Sequence, residues 1–504
     1  MNLAAILDGA AAKSPDKPVV VAAGDAWTYR EVVAASHRAA ASLCALGVAA
    51  GDRVAIMAHN TPEFIVAMVA IWRVGAVLVP VNHKLSAGEV GYIAAHSEAM
   101  LLLASDELRA VAVAGCPPST RVLALDDAAG PFAARMGEGE TPVAATVARA
   151  ADDPAQILYT SGTTGKPKGC VHTHGTVRNT AITSALTCSM VPSDRTLIAM
   201  PIWHAAPLNN FLMATLFVGG TLVLMREYAP EAFVRTLQDE RVTVYFGAPV
   251  SFALPLSLPG GLDGYDFSAV RALLYGGGPI SAELSRHLAA AYRTDRFFQV
   301  YGMTEMGPGG TILYPEEQIA KAGSIGRAAQ PGVDLRVVGA DGAATRAGEV
   351  GEIWLRSPSL MQGYLGDPAA TADAIEDGWY RTGDLVRVDA DGYLFIVDRL
   401  KDMIVTGGEN VYSKEVEDAL HATGLVADCA VVGVPHPEWG ETVVAAVVAP
   451  AGAVVDPSAL AAALRSRLAA YKIPRRLLAV DALPRNPTGK VLKAELRALL
   501  TDPA

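Results

Sequence analysis

Aliphatic runs recur along the first half of the chain, each followed by a stretch whose apolar positions fall three and four apart. Residues 18–23 and 53–58 read as buried strands, and 100–104, 197–200, 221–225, 242–247 and 297–301 continue the series. Thr28-Tyr29-Arg30-Glu31 has the Thr-x-x-Glu spacing of a capping box, opening a helix that Gly47 can close; Ser86-Ala87-Gly88-Glu89 opens another. The repeated strand–helix unit predicts an α/β fold of parallel sheets with helices on both faces. Pro and Gly crowd residues 255–264, which predicts a surface loop. From Gly332 the pattern changes to closely spaced strands with Gly-rich turns, at 351–356, 385–388 and 393–397, which predicts a small β-rich subdomain. Beyond Lys401 a helix over 413–421, strands over 429–434 and 443–448 and an Ala-rich helix over 458–470 suffice for a separate α+β domain of about a hundred residues.

Composition narrows the function. A chain of 504 residues is too long for one ordinary core, which predicts a large domain and a smaller one. The net charge of −11 argues against a general binder of nucleic acid or anionic membrane, so positive potential for a phosphate ligand must be local. Five scattered cysteines with no CxxC pair fit reduced thiols in a cytoplasmic protein. The first eight residues lack a positive n-region and read as a short amphipathic helix instead of a signal peptide. The apolar run 64–79 contains Arg73 and Gly75, so it reads as a buried helix and strand, with no membrane span.

The candidate chemistry is densest in Tyr159-Thr160-Ser161-Gly162-Thr163-Thr164-Gly165-Lys166-Pro167-Lys168-Gly169. Glycines let backbone approach phosphate oxygens, hydroxyls donate to them and lysines neutralise them. The loop is not a Walker A motif, because Thr160 stands where that pattern needs glycine. Composition alone leaves a plain surface turn as the alternative. Four further segments follow in order: Tyr301-Gly302-Met303-Thr304-Glu305, Tyr380-Arg381-Thr382-Gly383-Asp384-Leu385, Asp398-Arg399-Leu400-Lys401-Asp402 and Pro487-Thr488-Gly489-Lys490.

Together these segments resemble the adenylate-forming superfamily, over nearly the whole chain. Pro201-Ile202-Trp203-His204, Gly276-Gly277-Gly278-Pro279 and Gly407-Gly408-Glu409-Asn410 bring it nearest the fatty-acyl and 4-coumarate-type CoA ligases. The resemblance implies an N-terminal adenylation domain over residues 1–397, a hinge at 398–401 and a mobile C-terminal domain over 402–504. It implies two half-reactions, with ATP, Mg²⁺ and coenzyme A. In the first, a carboxylate attacks the α-phosphorus of ATP and expels pyrophosphate. Thr160, Ser161, Gly162, Thr163, Thr164, Gly165, Lys166 and Lys168 are expected around the β- and γ-phosphates. Thr304 is expected at the α-phosphate, Glu305 on Mg²⁺ and Lys490 between carboxylate and α-phosphate. Asp384 suits the ribose hydroxyls, with Arg399 beside it, although a Thr-Gly-Asp turn alone accounts for an aspartate there. Gly276, Gly277, Gly278 and Pro279 would take adenine against backbone, with Gln299, Val300, Tyr301 and Gly302 on its other edge. In the second half the small domain swings about Lys401, and Gly407 and Gly408 wall a tunnel for the thiol-bearing arm.

His204 is expected to border the acyl group and the thiol path, although a lone histidine after a strand is often structural. His172 and His174 lack a metal-ligand partner pattern. Ala205, Ala206, Asn210, Tyr275, Gly276 and Gly309 match the acyl pocket, where Ala206 replaces a tyrosine common in the aryl enzymes. Small side chains and no Lys or Arg among them point to an apolar medium-to-long or bulky monocarboxylic acid. The alternatives are an adenylate-former that passes its acyl group to a carrier protein or partner enzyme, and a catalytically silent sensor. The protein is expected to be a monomer or homodimer.

Overall fold

The computed structural model describes residues 2–126, 145–160, 166–485 and 491–501. The chain divides into two compact units, Met1–Leu335 with Trp354–Arg381, and Arg336–Ile353 with Thr382–Ala504.

The first unit contains two large sheets. The nine-stranded sheet has Pro18–Ala22, Thr221–Leu224, Arg195–Ile198, Val244–Gly247, Ala272–Tyr275 and Phe297–Gly302 side by side and parallel. Its edges are antiparallel, with Asp25–Thr28 at one side and Gly310–Leu313 and Ala328–Ala329 at the other. In the seven-stranded sheet Pro154–Thr160, Val77–Pro80, Arg53–Met57, Ala99–Ala104 and Arg121–Ala124 run parallel, while Lys168–Thr173 and Gly363–Tyr364 turn back antiparallel at one edge. The strand–helix repeat thus predicted the parallel centres; the hairpins at the edges departed from it.

The helices Tyr29–Ala45, Pro62–Arg73 and His174–Thr187 pack with residues of both sheets in one core. The capping box Thr28–Glu31 is present, as is that of Ser86–Glu89, and Gly47 ends the first of these helices with φ +91°. Every residue from Phe64 to Trp72 is buried, and Arg73 is buried with them. Its guanidinium is satisfied by both oxygens of Asp8 and by Ser36 and Thr146, so the charge sits in the core fully paired. Among the described residues no helix is long and apolar enough to cross a membrane. The expected loop at 255–264 is partly helical: a 3₁₀ turn, Leu254–Ser257, follows the helix Pro249–Ala253, and Leu262 is buried.

In the second unit Asp384 to Val388, the end of the strand Trp379–Val388, pair antiparallel with Leu394–Arg399, and a five-stranded sheet is centred on Asp428–His436 and Gly440–Val448. Val431, Val443, Ala445 and Val447 face a core with Leu420 and Leu460; Val432, Val444 and Ala446 face Leu496 on the other side. The helix Ser413–His421 begins and ends where the pattern put it. The Ala-rich helix does not reach 470: it runs Pro457–Arg465, Arg467 and Leu468 fold back onto the Leu464 carbonyl, and a 3₁₀ turn covers Ala470–Lys472.

Candidate active site

The strands Pro154–Thr160 and Lys168–Thr173 pair antiparallel with Thr160 opposite Lys168. Between them, Ser161, Gly162, Thr163, Thr164 and Gly165 lie outside the described residues. Lys168 directs its ammonium over the Tyr364 ring at 4.8 Å, and exposed Lys166 lies 5.8 Å from the Tyr92 ring. A Cβ on Gly169 would meet Ile157 at 2.8 Å, which is why glycine follows the second lysine.

At the end of Phe297–Gly302 a Cβ on Gly302 would lie 2.1 Å from the Pro308 carbonyl; only glycine lets the chain double back there into the short turn Thr304–Met306. Glu305 is 8 % exposed and accepts a hydrogen bond from the Tyr364 hydroxyl at 2.9 Å. Burial, then the Glu305 charge, pushes the Tyr364 phenol up, so it stays a donor. Tyr380, buried beside it, is pushed the same way. The turn is also pinned from behind: His172 Nε2 donates to the Thr304 carbonyl at 2.8 Å. Burial lowers the His172 pKa to about 4, which keeps the ring neutral in the tautomer that makes this bond.

Tyr275 and Gln299 are register partners on neighbouring strands, which sets Gly276 beside Val300: a Cβ on Gly276 would lie 2.9 Å from the Val300 carbonyl and 3.1 Å from the Phe246 ring. Gly277 takes φ +79° in open space, and a Cβ on Gly278 would meet Pro249 at 3.9 Å, an ordinary contact. The candidate adenine residues, Gly276 to Pro279 with Gln299, Val300 and Tyr301, are therefore gathered at the ends of two adjacent strands.

Ala205 is buried and Ala206 half-buried at the start of a π-helix, Ala206–Leu212. In its wider turn Met213 N–H reaches the Leu208 carbonyl, and Asn209 and Asn210 are buried with the rest of residues 207–212. Gln156 donates to Asn209 at 2.8 Å, and Asn210 lines a small cavity with Ser184, Thr187 and Gln330. Gly309 adjoins the same place, 3.7 Å from Gln330 Oε1 measured from a built Cβ. Tyr275 does not join this group. Strand alternation puts Leu274 on the cavity side and Tyr275 in the core on the opposite face, where its hydroxyl donates to Gln318 at 2.6 Å.

His204 reaches solvent yet is ringed by protein, and the loss of hydration holds its pKa below the ordinary value. It lies at one end of a row of rings that the sequence did not reveal: Trp203 at 5.6 Å, then His83, then His59, whose Nε2 is 3.1 Å from Glu107.

In the second unit Asp384 is buried and paired with Arg399 at 2.5 Å, and Thr382 Oγ1 accepts from its backbone N–H. Asp398 is buried next to that pair and accepts from the Ser413 hydroxyl, which Lys493 also meets at 2.6 Å; burial raises the Asp398 pKa. Lys401, Gly407 and Gly408 are exposed. Lys490 lies outside the described residues.

Tyr364 and His172 are the contacts that sequence reasoning missed: neither lies in the motif it supports. Residues 7–365 match the AMP-binding enzyme family and 415–490 match the AMP-binding enzyme C-terminal domain. The chain is 39 % identical to a feruloyl-CoA synthase of Amycolatopsis sp over 490 residues, 96 % of each chain. It is 37 % identical to a long-chain-fatty-acid–CoA ligase of Mycobacterium tuberculosis, over 93 % of this chain and 92 % of the other. Its fold is similar to that of ATP-bound MatB from Rhodopseudomonas palustris, with a TM-score of 0.87 at 33 % identity, covering 100 % of this chain and 99 % of that one.

Proposed function

The chain belongs to the AMP-binding enzyme family, and from that premise we propose how its residues divide the work of an AMP-forming acid–thiol ligase. The enzyme activates a small carboxylic acid with ATP as an acyl-adenylate, releasing pyrophosphate, and transfers the acyl group to coenzyme A, releasing AMP; it uses Mg²⁺. An apolar or bulky acid fits it.

In the first half-reaction Thr160, Lys168 and the intervening loop take the β- and γ-phosphates, and Thr304 donates to the α-phosphate. Glu305 fits a hard cation: it is a buried carboxylate whose turn His172 and Tyr364 fix in advance. Bound there, Mg²⁺ supplies charge neutralisation for the leaving pyrophosphate. Adenine lies against Gly276 to Pro279, and Asp384 with Arg399 takes the ribose. Lys490 serves the first half-reaction and Gly407 and Gly408 the second, with Lys401 as the hinge between residues 1–397 and 402–504. Coenzyme A, not a carrier protein, is the acceptor, and the protein works in the cytoplasm, a reading that its five free cysteines support.

The observation that carries this reading is Glu305 itself, buried at the end of a motif whose order along the chain follows the family. Pyrophosphate release across a panel of acids, with and without coenzyme A, tests it. Release that leads to acyl-CoA only when coenzyme A is present supports it. Release that never yields acyl-CoA assigns the acyl group to a carrier protein, and no release from any acid leaves the silent sensor.

A further inference from the structure

A helix far upstream holds both of the chain segments that carry Thr160 and Lys168. Tyr92 and His96 lie four apart on the helix Ala87–His96, so they project from one face, and their rings stack at 5.3 Å and 22°. Each reaches a different segment. The Tyr92 hydroxyl donates to the Pro167 carbonyl at 3.0 Å, next to Lys168. His96 Nδ1 and the Tyr159 hydroxyl are hydrogen-bonded at 2.8 Å, next to Thr160. Burial pushes the Tyr159 phenol up, so it keeps its proton. Its ring in turn crosses to the neighbouring strand, where a Cβ on Gly169 would come within 3.2 Å of it. Pro167 stands beyond the last register pair, Thr160 with Lys168, and proline has no N–H, so its carbonyl is the backbone group by which a neighbour can hold it. Tyr92 uses that group. On the strand itself the Gly169 carbonyl accepts from Leu365 N–H at 2.8 Å, which leaves the Pro167 end to the helix.

We propose that Tyr92 and His96 are positioning residues for the pyrophosphate end of ATP: through Pro167 and Tyr159 they set Lys168 and Thr160 in place before the nucleotide arrives. This rests on the reading that gives Thr160 and Lys168 the β- and γ-phosphates. A cation and a hydroxyl that must meet a highly charged leaving group act best when no backbone has to be reorganised around them. The thioester half-reaction involves neither phosphate, so it serves as the control within the same enzyme.

The test is the first half-reaction run in reverse, ATP formation from a pre-made acyl-adenylate with pyrophosphate varied, beside thioester formation from the same acyl-adenylate and coenzyme A. Tyr92→Phe keeps the ring that His96 and Lys166 meet and removes only the hydroxyl. Its KM for pyrophosphate should rise about fivefold to tenfold, the size expected for one hydrogen bond left unmet, while thioester formation stays within about twofold of the native rate. His96→Leu should raise that KM likewise, and His96→Asn, whose amide stands where Nδ1 does, should recover most of the loss. Lys168→Ala, which tests the phosphate assignment itself, should raise it further than either. An unchanged KM for pyrophosphate in Tyr92→Phe, with Lys168→Ala impaired, overturns the proposal alone. Slowing of both half-reactions in the same proportion also overturns it, and makes these contacts a prop for the fold at large. No change in any of these variants overturns it together with the assignment of the phosphates to Lys168.

Discussion

Glu305 in the first unit and Gly408 in the second hold their places in opposite ways. Glu305 is buried, its carboxylate meets Tyr364, its carbonyl accepts from Met361 N–H at 2.7 Å, and the residue before it is tied to His172. Gly408 is exposed, takes φ +84° and has nothing within 4 Å of the space a Cβ would fill. A carboxylate that must meet a cation gains from being fixed in advance, because reorganisation is then complete before chemistry begins. A loop that must come and go gains from having little to break. The contrast suits a division in which the fixed residues around Glu305 hold phosphate and metal while residues 402–504 supply parts that exchange.

Lys490→Ala tests that division most strongly. Adenylate formation should fall a hundredfold to a thousandfold, the usual loss when one preorganised donor is removed. Transfer from a pre-made acyl-adenylate to coenzyme A should persist. Stopped-flow or quench measurement of each half separately decides it: equal loss in both halves would mean that Lys490 stays at the site throughout and that residues 402–504 do not exchange their parts.

The same contrast explains what was legible in the sequence. Thr28 with Glu31 and Ser86 with Glu89 could be read because a capping box is a contact over three residues. The parallel strand centres could be read because burial on both faces leaves unbroken aliphatic runs. Tyr364 could not: it reaches Glu305 across 59 residues of sequence, through a strand of two residues at a sheet edge. Nor could the π-helix, since Ala206 to Leu212 carries no local mark of the wider turn. Tyr275 was assigned to the pocket from its motif, while the alternation of its own strand turns it away. The glycines at 276, 302 and 309 were visible as residues, but what each passes close to was not.

Acid should separate the units next. His172 has a pKa of about 4 in the fold, down from 6.5, because burial disfavours its charged form. Protonation therefore favours the unfolded chain: the stabilisation is complete above pH 6.5 and is lost as pH falls toward 4. One such group forfeits about 2 kcal/mol by pH 5. His174, which opens the helix after the strand of His172, is also lowered to about 4, chiefly by burial, and adds in the same direction. Hydrogen exchange at pH 7 and pH 5 should show the helix His174–Thr187 and the turn Thr304–Met306 losing protection, and His172→Gln should flatten the urea-denaturation slope against pH. An unchanged slope in that variant would remove His172 as the acid-sensitive pin.

Gly408→Ala is the smallest perturbation and the one that asks what the exposed loop is for. Space is open, so no clash arises, and the cost is only that of holding a Cβ at φ +84°, about 1 kcal/mol. Thermal stability should drop by a few degrees at most. Adenylate formation should stay within about twofold, because Gly408 has no part in it. Thioester formation should slow by about tenfold if the coenzyme A arm grazes this backbone, since even one methyl group then occupies the path. Both half-reactions slowing alike would make Gly408 a turn residue and nothing more. The comparison with Glu305 would then contrast a working group with an ordinary loop, and the partition of labour would rest on Lys490 alone.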